Sequence, residues 1–96
     1  MKVVLRTQSY RDDLDEIEAY IAQGNPRAGA TLWPHIDDQV ARLADALFPR
    51  RPGRVAGTRE LVAHENYLVI LEENEMTVTA LAVLHARQRY PGPPAT

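Results

Sequence analysis

The sequence predicts an α+β fold: an N-terminal strand, an α-helical hairpin, then a three-stranded antiparallel meander. Three observations carry this reading. Apolar residues recur at helical spacing between residues 10 and 47. Strand-like runs separated by short polar loops fill residues 58–84. Clusters rich in proline and glycine at residues 24–26 and 48–57 separate these regions. At 96 residues the chain makes one domain, read as residues 1–91, with 92–96 as a flexible, proline-rich C-terminal tail.

Residues 2–6, Lys-Val-Val-Leu-Arg, read as the first strand. Ser9 offers an N-cap with Asp12 three residues on. Tyr10, Leu14, Ile17 and Ile21 then form one apolar stripe. The acidic run Asp12, Asp13, Asp15, Glu16 and Glu18 reads as a solvated face favoured by the helix dipole. Gly24-Asn25-Pro26 ends this helix and starts the next, with Gly24 suited to a left-handed position, Asn25 to an N-cap and Pro26 to the first turn.

The second helix carries Ala28, Leu32, Ile36, Val40, Leu43 and Leu47 on one face. Pro34 removes a backbone donor inside it, which predicts a kink near a buried Trp33. Three strands follow, over residues 58–63, 67–72 and 76–84. The last ends wholly apolar, as a strand covered on both faces would.

Composition narrows the function classes. There is no cysteine, which excludes a disulfide framework and a thiolate metal site and fits a cytoplasmic location. The N-terminal apolar run is too short for a signal peptide or membrane span. Net charge is −2, without the basic excess that supplies most non-specific affinity for nucleic acid. Residues 48–96 carry six arginines, Arg50, Arg51, Arg54, Arg59, Arg87 and Arg89. His35, His64 and His85 show no ligand spacing, so neither metal nor cofactor is expected.

Several blocks, in order, resemble the RelE/ParE toxin superfamily. They are Asp13-Leu14-Asp15-Glu16-Ile17 with Tyr20-Ile21-Ala22, then Asn25-Pro26-Arg27-Ala28, then Phe48-Pro49 with Gly53-Arg54. Gly57-Thr58-Arg59-Glu60-Leu61-Val62 is the strongest, followed by Tyr67-Leu68-Val69 and by Val83-Leu84-His85-Ala86-Arg87 with Pro91. The resemblance spans roughly residues 10–91 and implies a β-α-α-β-β-β toxin of a type II toxin–antitoxin module. ParE-type members poison DNA gyrase and block replication, whereas RelE-type members cut messenger RNA on the ribosome. Both are neutralised by an antitoxin (ParD for ParE) whose C-terminal segment wraps the toxin. The expected partners are therefore a ParD-type antitoxin, in a heterotetramer or larger assembly, and gyrase. No direct DNA binding is expected without the antitoxin, and no membrane.

The nuclease chemistry needs a base, an acid and cations for the phosphorane charge. The only lysine is Lys2, and Tyr67 stands where the nucleases carry a strand arginine. This favours the gyrase reading, with no catalytic residue. Arg87, His85 and Tyr90 form the alternative catalytic set, and an inactive antitoxin-binding member is a third reading.

Arg87, Arg89 and Tyr90 are the candidate target-binding residues. Trp33, Arg59, Val62, Tyr67, Val69 and Leu81 are the candidate antitoxin-binding ones. For Arg59 a structural ion pair with the first helix competes with a partner contact. Arg50, Arg51 and Arg54 read as solvated loop residues, and His85 as a half-buried histidine or an acid–base group. Val62, Tyr67, Val69, Leu81 and Val83 offer more apolar surface than one hairpin readily hides, which marks a partner site.

Overall fold

A computed structural model describes residues 1–88 and Tyr90. The elements are β1 (Val3–Arg6), α1 (Gln8–Gly24), α2 (Pro26–Arg42), β2 (Arg51–Pro52), β3 (Arg59–His64), β4 (Tyr67–Glu73) and β5 (Thr77–His85). The strands form one sheet in the order β1-β5-β4-β3-β2. The meander β3-β4-β5 is antiparallel, and β1 joins it parallel to β5, Val3 opposite Thr77 and Arg6 opposite Ala80. The predicted order holds, and the two-residue β2, read beforehand as loop, adds an edge against β3.

The α1 cap differs from expectation. Thr7, not Ser9, caps the helix, its Oγ1 accepting from Tyr10 N at 3.1 Å. The same hydroxyl donates to Leu81 O at 2.9 Å, which ties the helix start to β5. Gly24 does not turn left-handed, since Gly57 alone among the described residues has positive φ. Asn25, extended at φ −153°, closes both helices instead. Its N–H bonds Ile21 O at 2.9 Å and its Oδ1 accepts from Ala28 N at 3.1 Å. One residue serving both ends leaves no room for a Schellman turn.

The second helix runs unbroken through Pro34 to Arg42. Pro34 and Ala30 both lie on its exposed side, so water can take the carbonyl that proline leaves unpaired. Leu47 lies past the helix end and is 89% exposed, because the chain turns after Leu43 and the heptad-like pattern stops with it.

The core lies between the hairpin and one sheet face. Tyr10, Leu14, Ile36, Val40 and Leu43 pack on Leu61, Val69, Leu71, Val78 and Ala80, with Tyr67 and Val83 at one end. Each leucine, isoleucine or valine among them contributes roughly 1.5–3 kcal/mol through burial. At the close of the hairpin Gly29 is needed for space: a Cβ there would stand 2.9 Å from Ala22 Cβ and Glu18 O. The opposite sheet face has no helix over it. Val3, Leu5 and Val62 on that face are 58%, 46% and 50% exposed. The strand covered on both faces is therefore β4 rather than β5, whose Leu81, Ala82 and Leu84 are only half-buried.

Candidate functional site

Two carboxylates, the buried Glu60 and the half-buried Glu73, organise the arginine-rich segment after α2. Glu60 of β3 takes Arg51 Nη2 at 3.1 Å, Arg54 N at 3.2 Å and Arg54 Nε at 3.6 Å. Glu73 of β4 takes Lys2 at 2.7 Å, Arg50 at 2.8 Å and Arg59 at 3.6 Å. Arg50 is nearly buried and also donates to the carbonyls of Leu43, Asp45 and Phe48, which finishes the end of α2. Burial alone would raise the Glu73 carboxyl. The Lys2 hydrogen bond and the charges of Arg50, Lys2 and Arg59 overcome it and hold the pKa below the ordinary value.

These contacts overturn two expectations. Arg50 is a structural cation rather than a solvated one, whereas Arg51 and Arg54 keep exposed side chains while pairing with Glu60. Arg59 pairs with Glu73 of β4 rather than with the first helix, because β3 points it toward the sheet end below α2. Sequence reasoning missed Glu60 and Glu73 because alternation predicts a face but not what fills it.

At the other end of the sheet four rings stand in a row. Register places His64 and His85 opposite Tyr67 on its two neighbouring strands. The Tyr67 ring lies 5.6 Å from His64 and 5.4 Å from His85, and His35 of α2 stands 5.9 Å from His64. A register shift between Val62 and His64 brings His64 into the row. Nothing in local sequence announces that shift.

His64 Nδ1 accepts from Asn66 N, and His85 Nδ1 from Arg87 N, both at 3.1 Å. Each ring, when neutral, therefore carries its proton on Nε2. Burial, then the neighbouring Tyr20, raises the Tyr67 phenol. Among the described residues no group of three metal-ligating side chains forms.

A cavity of about 460 Å³ opens beside this row, between α1 and β5. Tyr67 and His85 lie on its sheet side, and Glu16 and Tyr20 on its helix side. Asp13 also lines it, with Oδ2 accepting from Val83 N at 2.9 Å. The acidic run is thus not merely a solvated face: Asp13 satisfies a β5 edge donor that β1 is too short to reach, and Asp15 accepts from Trp33 Nε1 at 3.0 Å.

The remaining site candidates fall in different places. Arg87 is exposed on the turn after β5, Tyr90 is half-buried, and Arg89 lies outside the described residues, as does the 92–96 tail. Trp33 is only half-buried, packed against the core margin. Val62 and Leu81 are accessible, the first on the uncovered face. Tyr67, Val69 and Val83 are 8%, 0% and 4% exposed beneath the hairpin, so they do not supply the uncovered apolar surface expected of them. Their alternation is the same as Val62's, shifted by one residue, and sequence cannot say which parity faces the helices.

Comparison with known proteins follows the same lines. The family described as ParE toxin of type II toxin-antitoxin system, parDE, matches residues 4–90. A relative from Sinorhizobium fredii (strain NBRC 101917 / NGR234), named "Putative toxin Y4kP", is 40% identical over 78 residues, covering 81% of each chain. A solved structure titled as the chromosomal ParDE TA system from P. aeruginosa superposes with a TM-score of 0.79 at 20% identity. It covers 88% of this chain and 96% of that one, and shows the shared fold. YafQ from E. coli superposes at 0.45 with 11% identity, over 90% of this chain and 94% of its own, too loosely to carry an argument. No described helix is long and apolar enough to cross a membrane. With the family matched over nearly its whole length, the chain belongs to the ParE toxins of type II toxin–antitoxin systems.

Proposed function

We propose that this toxin acts on DNA gyrase by binding and is neutralised by a ParD-type antitoxin. The observation that carries the gyrase reading is the pairing of the four arginines between α2 and the start of β3. Arg50, Arg51, Arg54 and Arg59 are paired with Glu60 and Glu73. A ribonuclease must hold cations ready for phosphorane charge, and cations paired in the ground state are poorly placed for that. The open cavity beside Tyr67 is lined by carboxylates, which repel a phosphate chain. The uncovered face with Val3, Leu5 and Val62 supports the antitoxin part, since apolar surface of that kind suits a wrapping segment.

The test is direct. Purified toxin added to gyrase and relaxed plasmid should suppress supercoiling, and the product of the adjacent gene should restore it. Induction in cells should stop DNA synthesis before protein synthesis. Cleaved transcripts with intact supercoiling would instead assign the chemistry to Arg87, His85 and Tyr90. Growth unaffected by induction would make the chain an inactive antitoxin-binding member.

A further inference from the structure

The geometry points to the cavity between α1 and β5 as a pocket for a basic side chain, an arginine or lysine presented by a partner polypeptide. The inference rests on the reading above that a polypeptide partner docks on this toxin, and it names what one site selects. Helical spacing puts Asp13, Glu16 and Tyr20 on the face of α1 that looks across to β5. Among the described residues no lysine or arginine lines the cavity, and the charged side chains they bring to it are the carboxylates of Asp13 and Glu16.

Carboxylates on a helix face are commonplace, and a second observation gives these direction. Tyr67 is 8% exposed, and its hydroxyl has no hydrogen-bond partner among the described residues. No buried polar side-chain atom among them lacks a partner, so this hydroxyl is not sealed in; it opens onto the cavities that Tyr67 lines. Tyr20 lines the same cavity as Tyr67.

A guanidinium entering here meets acceptors of the right kind. Asp13 keeps Oδ1 for it while Oδ2 holds Val83 N. Glu16 is exposed, and the nearly buried Tyr67 lines the same cavity. Tyr20 is 72% exposed and offers its ring face to a cation. His85 sits edge-on to Tyr67 at 5.4 Å and holds that ring in place. Among the described residues a phosphate would meet two carboxylates and no lysine or arginine, which disfavours a nucleic-acid backbone.

The experiment titrates the ¹⁵N-labelled toxin with N-acetylarginine amide and follows amide shifts. N-acetylcitrulline amide, the neutral near-isostere, and hexauridylate run alongside. The arginine probe should shift Val83, Tyr20 and His85 with saturation in roughly the millimolar range for so small a ligand. Glu16→Gln, an exposed change that leaves the fold intact, should weaken the response by about threefold or more. No response, an equal response to citrulline, or a response to hexauridylate alone would overturn the pocket. Failure here leaves the antitoxin reading standing, because the probe is not an antitoxin. That reading fails separately, if the adjacent gene product does not bind the wild-type chain.

Discussion

Replacing Glu73 with glutamine keeps the side chain's shape and removes one charge from the most heavily used carboxylate in the sheet. Its cations come from three distant places: Lys2 before β1, Arg50 after α2 and Arg59 on β3. Arg50 suffers most, since its side chain is only 6% exposed. Breaking a buried pair typically costs about 3–5 kcal/mol. Arg50 keeps three carbonyl acceptors, and Lys2 and Arg59 can turn to water, so about 2–3 kcal/mol is expected for Glu73→Gln. For a domain this small that lowers Tm by roughly 10–20 °C.

The pH dependence gives the sharper check. The folded pKa of Glu73 lies below the ordinary 4.5, so the stability it contributes is complete above that value. It is lost as pH falls through the lower folded pKa. Wild type should therefore lose stability between neutral and acid pH more steeply than Glu73→Gln, and the two should converge at low pH. Thermal melts followed by circular dichroism at pH 7, 5 and 3 measure both effects. A variant that melts within about 2 °C of wild type at pH 7, or that keeps the full acid slope, would refute the reasoning.

Three further outcomes are expected. Tyr10 donates to Asp37 Oδ1 at 2.9 Å beside Arg6, and burial first, then Asp37, pushes its phenol well above the usual range. Its stabilisation is whole below pH 10 and fades at higher pH. Tyr10→Phe should cost about 1 kcal/mol at neutral pH and flatten the alkaline limb of the stability curve, while an unchanged limb would show that the phenol is not held. Gly29→Ala must push its Cβ against Ala22, costing about 1–3 kcal/mol of overpacking against about 1 kcal/mol of helix propensity gained. A net loss in urea titration is expected, and a gain would mean the helices separate freely. Glu60→Gln frees the segment around Arg51 and Arg54, so trypsin should cut there several-fold faster while the rest of the domain resists.

Much of the fold was legible because its signals are periodic. The stripe Tyr10, Leu14, Ile17 and Ile21 and the Asn25-Pro26 junction identify the hairpin, and the turn residues around Asn66 and Asn74 mark the meander. Asn74 shows why: its Oδ1 accepts from Met76 N and Thr77 N at 2.8 Å, a local bond that needs nothing beyond its own neighbours. What was not legible depends on partners far along the chain. Ser9 and Thr7 are equally good caps in isolation, and β5 decides between them through Leu81 O. Arg50 looks like a loop cation until Glu73 arrives from β4. The ring row at Tyr67 needs a register shift, and the parity of Val62 against Val69 needs to know which face the helices cover.

Parallel pairing of β1 with β5 also shapes how the toxin comes into being. Val3 cannot meet Thr77 until the whole segment between them has been made, and closing so long a loop has an entropic cost that local contacts do not relieve. A nascent chain interrupted before Thr77 has no neighbour for its opening strand or for one flank of β4. A chain that stops short of β5 is thus left with two open strand edges, which are templates for pairing with other chains.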